Sequence, residues 1–119
     1  MEQVAFIEVG MGIDLHGQDV TVACCRAIRN AIGHNSMPGI RSFLPNRDLH
    51  EMKVEVTLAV PFKHEAIDHT KVKAELPYGQ ITLHIEKGGL LASSGVILPE
   101  QGDTTDEMVI AIAVVRVGY

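Results

Sequence analysis

The chain has 119 residues, of which 46% are hydrophobic and 21% are charged, and its formal net charge is −5. This length suits one domain with a core of its own, and the composition is that of a globular chain. Aromatic residues make up only 4% and Trp is absent, while the net charge is negative, so neither a base-stacking surface nor a polyanionic partner is expected. We therefore predict a single α/β domain over residues 1–119 with no nucleic-acid partner.

Hydrophobic periodicity predicts the element order β-α-β-α-β-β-β. The first strand, residues 3–11, is apolar on both faces except at Glu8 and Gly10, as in a strand covered on both sides. A helix follows, with Asp19 as its N-cap and Gly33 as its C-terminal stop. One apolar stripe runs along this helix through Val20, Ala23, Cys24, Ala27, Ile28 and Ala31. Residues 34–50 show no usable periodicity, which is typical of a functional or mobile segment.

The second half of the chain is predicted to be mostly strand. The strands are expected at residues 52–60, 81–86, 90–98 and 108–117. Asp68 can cap a short second helix, which Leu76-Pro77 closes because the residue before proline avoids helical geometry. Gly88-Gly89 predicts a hairpin turn between the third and fourth strands.

The number of helices is too small for the predicted sheet. Two helices cover one face of a four- or five-stranded mixed sheet, yet the first and last strands are apolar on both faces. Large bare apolar faces are rare on monomers, so we expect a homo-oligomer in which another subunit covers the second face. The alternative is that the two faces are less distinct than the pattern suggests.

The cysteine usage and the termini predict a cytoplasmic protein. Cys24 and Cys25 are adjacent on a helix, where a disulfide between them would strain the backbone, so both are expected to be reduced. The N-terminal sequence has no export signal, and the longest apolar run, residues 108–115, is too short to cross a bilayer. No membrane partner is expected.

The segment Gly10 to Asp19, between the first strand and the first helix, contains the candidate catalytic residues. Gly10-x-Gly12 resembles the start of a dinucleotide fingerprint, but Leu15 stands where the third glycine belongs, and Asp14 would repel a pyrophosphate. A phosphate-binding P-loop is also missing, since no Gly-Lys-Ser/Thr occurs. We therefore expect no cofactor.

Asp14 and His16 are the candidate catalytic residues of this segment. In an extended chain they point to the same side, and a carboxylate beside an imidazole is a common general acid–base arrangement. Asp14 could instead bind backbone amides of the turn, and Asp19 is explained as a helix cap. Both Asp14 and His16 could ligate a metal, but the other histidines show no ligand spacing, so no metal site is predicted.

Further polar residues are candidates for binding a ligand. Arg26 and Arg29 lie on the helix face opposite the apolar stripe, where they either face solvent or contact an anionic ligand or carboxylates of a neighbouring subunit. Asn35 and Ser36 form a sharp turn, and Ser36 lacks the Gly-x-Ser-x-Gly setting of a nucleophile. Glu8, a carboxylate within a buried strand, needs a partner or a raised pKa, which makes it a ligand-binding or catalytic candidate.

Several short motifs together resemble a family of small conserved hypothetical bacterial proteins named after a Listeria locus. The motifs are Asp14-Leu15-His16-Gly17-x-Asp19, Arg26-Ala27-x-Arg29-Asn30-Ala31-Ile32, Asn35-Ser36-x-Pro38-Gly39, Leu76-Pro77-Tyr78-Gly79 and Gly102-Asp103. The resemblance implies no activity. It does imply the fold of Bacillus-type chorismate mutases and reactive-intermediate deaminases, which form trimers with facing sheets and ligand sites between subunits.

Two functional hypotheses follow. In the first, the protein is a homo-oligomeric enzyme or binding protein for a small polar metabolite, with its site in residues 10–19. In the second, it is a non-catalytic structural or regulatory module whose polar residues form subunit contacts. Fold analogy does not choose between them, because one scaffold can host unrelated chemistries.

Overall fold

The computed structural model describes all residues, 1–119, and contains five strands and three helices. The strands are β1 (Val4–Asp14), β2 (Lys53–Val60), β3 (Gln80–Lys87), β4 (Leu90–Ser93) and β5 (Glu107–Gly118). The helices are α1 (Val20–Ile32), α2 (Ile40–Phe43) and α3 (His69–Lys73), and single 3-10 turns lie at Leu49–Glu51, His64–Ala66 and Pro99–Gln101. No helix is both long and apolar enough to cross a membrane.

The five strands form one mixed sheet around β5. The order is β1-β5-β2-β3, and β4 pairs with the part of β5 that β2 does not reach. Only β2 and β3 run parallel; the other pairs are antiparallel. The predicted mixed α+β sheet is therefore confirmed.

The predicted hairpin at Gly88-Gly89 is wrong. β4 follows β3 in the chain but pairs with β5, because the chain passes the end of β2 after Lys87 and continues beside β5. Gly89 has a φ of +67° and lies so close to β5 that a Cβ there would collide with the carbonyl oxygen of Ile110. These glycines therefore allow a crossing between strands rather than a tight turn.

The first helix forms and packs as its sequence predicts. The Asp19 side chain accepts hydrogen bonds from the backbone N–H groups of Thr21 and Val22, and the helix ends at Gly33. All six residues of the predicted stripe are buried against the sheet. Gly10 and Gly12 of β1 allow this contact, since a Cβ on either would collide with the α1 backbone.

Two boundaries differ from the prediction in a way that matters for function. β1 continues to Asp14 rather than ending at residue 11, because β5 is long enough to pair with Gly12, Ile13 and Asp14. The segment 34–50 is not structureless. It contains α2 and a 3-10 turn with a capping box between Asp48 and Glu51.

The second face of the sheet is open in the single chain. Ile7, Val9 and Met11 of β1 are 55%, 65% and 53% exposed, and Val9 and Met11 stand opposite Val114 and Ile112 of β5. On β2 and β3 the same face carries mostly polar side chains, among them Glu55, Thr57, Thr82 and His84. The helices of the chain thus cover only one face, and an apolar stripe on β1 and β5, here called the open face, remains exposed.

Candidate functional site

The turn after β1 and the loop before β5 meet at one end of the sheet. Gly17 (φ +104°) and Gln18 (φ +51°) reverse the chain after β1 with left-handed backbone conformations. The turn places His16 against Asp103, with Nδ1 of His16 2.6 Å from Oδ2 of Asp103. Both side chains lie beside the last ladder pair of β1 and β5, Asp14 with Val109.

Asp103 is the centre of the hydrogen-bond network here. Its side chain is fully buried, and it accepts bonds from the backbone N–H groups of Gly17 (2.6 Å) and Leu98 (2.9 Å) and from Nε2 of Gln18 (2.9 Å), besides the contact with His16. Burial favours the neutral carboxyl group, but these donors outweigh it and hold the pKa of Asp103 well below its usual range. Asp103 is therefore a carboxylate at neutral pH.

The ionised Asp103 determines how His16 carries its proton. A carboxylate only accepts hydrogen bonds, so Nδ1 of His16 must donate. In the neutral ring this leaves the lone pair on Nε2, which makes no hydrogen bond within the chain. The side chain is 21% exposed, so a bound molecule could reach this nitrogen. A buried carboxylate thus fixes the orientation and the tautomer of the His16 ring.

Gln18 fastens the two loops together. Its buried amide donates from Nε2 to Asp103 and to the carbonyl oxygen of Glu107 (2.7 Å), and its Oε1 accepts from the backbone N–H of Thr104 (3.1 Å). The sequence interpretation missed both Gln18 and the role of Asp103. Gly102-Asp103 was visible as one of the family motifs, whereas Gln18 occupies the variable position of Gly17-x-Asp19 and carried no signal.

Asp14 does not hydrogen-bond to His16, so the predicted pairing of these two side chains is wrong. Asp14 is buried, its Oδ2 accepts from the backbone N–H of Asp19 (2.8 Å), and its Oδ1 lies 3.6 Å from Nη1 of Arg26. The same-side expectation fails because β1 ends at Asp14, so His16 lies in the following bend and no longer in an extended strand. The alternative, that Asp14 binds backbone amides of the turn, describes what is observed.

The two arginines of α1 have partners within the chain. Nη1 of Arg26 donates to the carbonyl oxygen of Ile13 (2.7 Å), and its side chain remains half exposed near Asp14. Arg29 makes a bidentate contact with Glu75, whose hydrogen bonds raise the pKa of the guanidinium. Arg26 therefore lies at the junction, whereas Arg29 joins α1 to the segment after α3.

The other predicted ligand-binding residues lie elsewhere. Glu8 precedes Asp14 by six residues on β1, a distance of about 20 Å along a strand. Asn35 donates from Nδ2 to the carbonyl oxygen of Ala31 just beyond α1, and Ser36 is exposed. The structure therefore does not bring Glu8, Asn35 and Ser36 to the His16 site.

The cysteines, the possible metal ligands and the cavities of the chain add nothing to the site at His16. Cys24 and Cys25 are unbridged and buried, and burial raises the pKa of Cys24 to about 12, so it is not a thiolate nucleophile at neutral pH. No three His, Cys, Asp or Glu side chains are grouped so as to hold a metal ion. None of the four cavities of the single chain is lined by His16 or Asp103.

Sequence comparison shows the family. The profile of the Lin0512 family, described as a conserved hypothetical protein, matches residues 4–117. The chain belongs to this family. Among solved structures, the chain is similar to an FtsZ-like protein of unknown function from Nostoc punctiforme, at 45% identity with a TM-score of 0.86. The match covers 97% of this chain and 93% of the Nostoc chain. No match is found among curated proteins.

The Nostoc structure has the same fold as this chain. Neither comparison assigns an activity, a ligand or an assembly.

Proposed function

We propose that the protein is a homo-oligomer that binds a small polar metabolite at His16, and that His16 serves as a general base or acid toward it. The observation that carries this proposal is the contact between His16 and the buried Asp103. A carboxylate held at Nδ1 fixes the imidazole in one orientation and stabilises the imidazolium formed when Nε2 takes a proton. The substrate would present a hydroxyl, an amine or a bound water to Nε2.

The number of hydrogen bonds to Asp103 supports a functional role for His16 rather than a role in holding the loops together. Gly17, Gln18 and Leu98 already provide three donors for the carboxylate. These donors would suffice to satisfy a buried carboxylate, and the partly exposed His16 is an additional partner that faces outward. An oriented imidazole with one free nitrogen is the arrangement that proton transfer requires.

A second copy of the chain would complete the site. In the single chain His16 borders no cavity, although small-molecule sites are normally concave. Leu15, next to His16, and Val96 and Ile97, next to the Asp103-bound Leu98, are about half exposed. These residues and the open face would be buried by a packed subunit, which would convert an exposed imidazole into the wall of a cleft.

We also propose that the protein forms a trimer and works in the cytoplasm. The resemblance to Bacillus-type chorismate mutases supports trimers with facing sheets and sites between subunits, which fits the open face. The two unbridged cysteines support a reducing compartment, and we place the protein in the bacterial cytoplasm.

Thermal-shift screening of the full-length protein against a library of small polar metabolites tests the proposal. The wild type is compared with His16→Asn and with His69→Asn, a matched control at an exposed position outside the site. We expect at least one metabolite to raise the melting temperature of the wild type and of His69→Asn by several degrees, because ligands stabilise the state they bind. The same metabolite should not stabilise His16→Asn. Equal stabilisation of all three proteins would contradict a site at His16.

The second candidate function is a non-catalytic assembly module. The observation that favours it is the open face itself, and the Nostoc protein of similar structure is described as FtsZ-like and of unknown function. In that case His16→Asn and Asp103→Asn would dissociate the oligomer, and no metabolite would stabilise the wild type. Size-exclusion chromatography with light scattering on both variants separates the two functions, since the binding proposal expects their oligomer to remain intact.

A further inference from the structure

Glu8 stands out because a carboxylate oxygen lies in an apolar setting without a partner. The residue occupies the helix-covered side of β1, opposite Val115 of β5, which is completely buried. The Glu8 residue as a whole is half-buried, but its Oε2 is inaccessible to solvent and forms no hydrogen bond. Burial raises the pKa of this carboxyl group. An unpaired buried carboxylate is costly, so the group requires either a proton or a cationic partner.

Glu8 borders a cavity of 230 Å³ beneath the segment 34–50. Eleven of its 14 lining residues are hydrophobic, among them Phe6, Ile32, Ile40 and Val117. The polar side chains at the wall are Glu8, Asn35 and Tyr78, and none of the 14 residues is Lys, Arg or His. A largely apolar cavity with a few polar groups is the usual form of a small-molecule site.

The polar groups of this cavity favour a ligand that donates hydrogen bonds. Asn35 uses its Nδ2 on the carbonyl oxygen of Ala31, which leaves its Oδ1 as an acceptor. The Glu8 carboxylate is a second acceptor, and Tyr78 adds an aromatic side chain to the wall of the cavity. Glu8 forms no ion pair with a basic side chain, although His34 lines a neighbouring cavity that Glu8 also borders. The positive charge would therefore have to come from the ligand.

We propose that Glu8 anchors a second binding site, separate from His16, for a small amine whose ammonium group meets Glu8 and whose hydrocarbon body fills the apolar cavity. The site lies on the helix side of the sheet, so a subunit packed on the open face would leave it free. It also lies about 20 Å along β1 from Asp14, so it is independent of the proposed acid–base site.

Benzylamine is a suitable probe, because it joins an ammonium group to a compact apolar ring, and benzyl alcohol is its neutral counterpart. Both are titrated into the full-length protein at neutral pH and followed by amide chemical shifts in two-dimensional NMR. We expect benzylamine to shift the signals of Glu8, Asn35 and Tyr78 and to bind the wild type roughly tenfold more tightly than benzyl alcohol, as a charge-assisted contact predicts.

Glu8→Gln keeps the shape of the side chain and removes its charge, and Glu65→Gln is the matched control at an exposed position. The preference for the amine should vanish in Glu8→Gln and persist in Glu65→Gln. Equal binding of amine and alcohol by the wild type overturns the proposal even if Glu8→Gln fails to fold. The same conclusion holds if neither probe shifts these three signals, in which case Glu8 is a protonated structural residue.

Discussion

His16 and Asp103 are 87 residues apart in the sequence, yet Nδ1 of one lies 2.6 Å from Oδ2 of the other. The contact joins the turn that leaves β1 to the loop that enters β5, and these two strands are antiparallel neighbours in the sheet. The long β1–β5 ladder therefore fixes the relative position of both loops. The site is a consequence of the sheet topology as much as of the local turn.

The first prediction concerns the tautomer of His16. Because the ionised Asp103 accepts from Nδ1, the neutral imidazole should carry its proton on Nδ1 and leave Nε2 unprotonated. Long-range ¹H–¹⁵N correlation spectra of the wild type should show this tautomer as the dominant neutral form. Most free histidines prefer the proton on Nε2, so the exposed His69 provides the internal reference. A His16 spectrum that matches His69 would contradict the assigned geometry.

The second prediction is a pH-dependent loss of stability in Asp103→Asn. The pKa of Asp103 is lower in the folded chain than in the unfolded chain, so its ionisation stabilises the fold at every pH above the unfolded value of about 4. This contribution is lost as the pH falls from there toward the folded pKa. The variant should therefore be clearly less stable than the wild type at pH 7, and the difference should shrink below about pH 4.

Urea unfolding of both proteins from pH 7 to pH 2.5 measures this difference. His16→Asn serves as a second variant, since it removes one of the four donors to Asp103 and leaves the carboxylate in place. Its loss of stability should be smaller than that of Asp103→Asn at pH 7. A difference between wild type and Asp103→Asn that stays constant over the whole range would contradict the depressed pKa.

Much of the fold could be predicted from the sequence, because its signals are local. The Asp19 cap, the apolar stripe of α1 and the alternation in β2 and β3 need no knowledge of distant residues. The pairing of β4 with β5 could not be predicted, because Gly88-Gly89 permits a hairpin and a crossing equally well. Pairing partners depend on the whole sheet, which a single sequence does not specify.

The site was half predicted for the same reason. The sequence predicts a carboxylate beside His16, but it indicates Asp14, the nearest acid in the chain, whereas the structure places Asp103 there. The partner of His16 depends on where β1 ends. β1 continues to Asp14 because β5 is long enough to pair with it, and this length could not be read from the sequence of β1. Gln18 gave no signal at all, because its role depends on Thr104 and Glu107.

The third prediction concerns the close contact between β1 and α1. A Cβ at Gly12 would collide with the carbonyl oxygen of Ala23 and the backbone N of Ala27, and neither backbone group can move without shifting the helix. Gly12→Ala should therefore lower the free energy of unfolding by about 3 kcal/mol. Gly39→Ala is the control, since nothing lies within 4 Å of its added Cβ, and it should be nearly neutral. Chemical denaturation measures both, and equal stabilities would contradict the packing.

The fourth prediction concerns the open face. Val9 is 65% exposed in the single chain, and in the proposed oligomer it would be buried between sheets. Val9→Lys should weaken self-association at least about tenfold without unfolding the chain, because a buried unpaired charge opposes assembly. Thr70→Lys adds the same charge on α3, on the other side of the sheet, and should leave assembly unchanged. Light scattering over a range of concentrations checks this, and a monomeric wild type would contradict the oligomer.

The most direct test of the His16 site is a crystal structure of the protein with the metabolite that gives the largest thermal shift. We expect a polar atom of that molecule within hydrogen-bond distance of Nε2 of His16, with Nδ1 still bound to Asp103 and residues of a second copy closing the cleft. A metabolite bound away from His16, or a structure in which Nε2 of His16 contacts only another subunit's side chains, would contradict the proposed function.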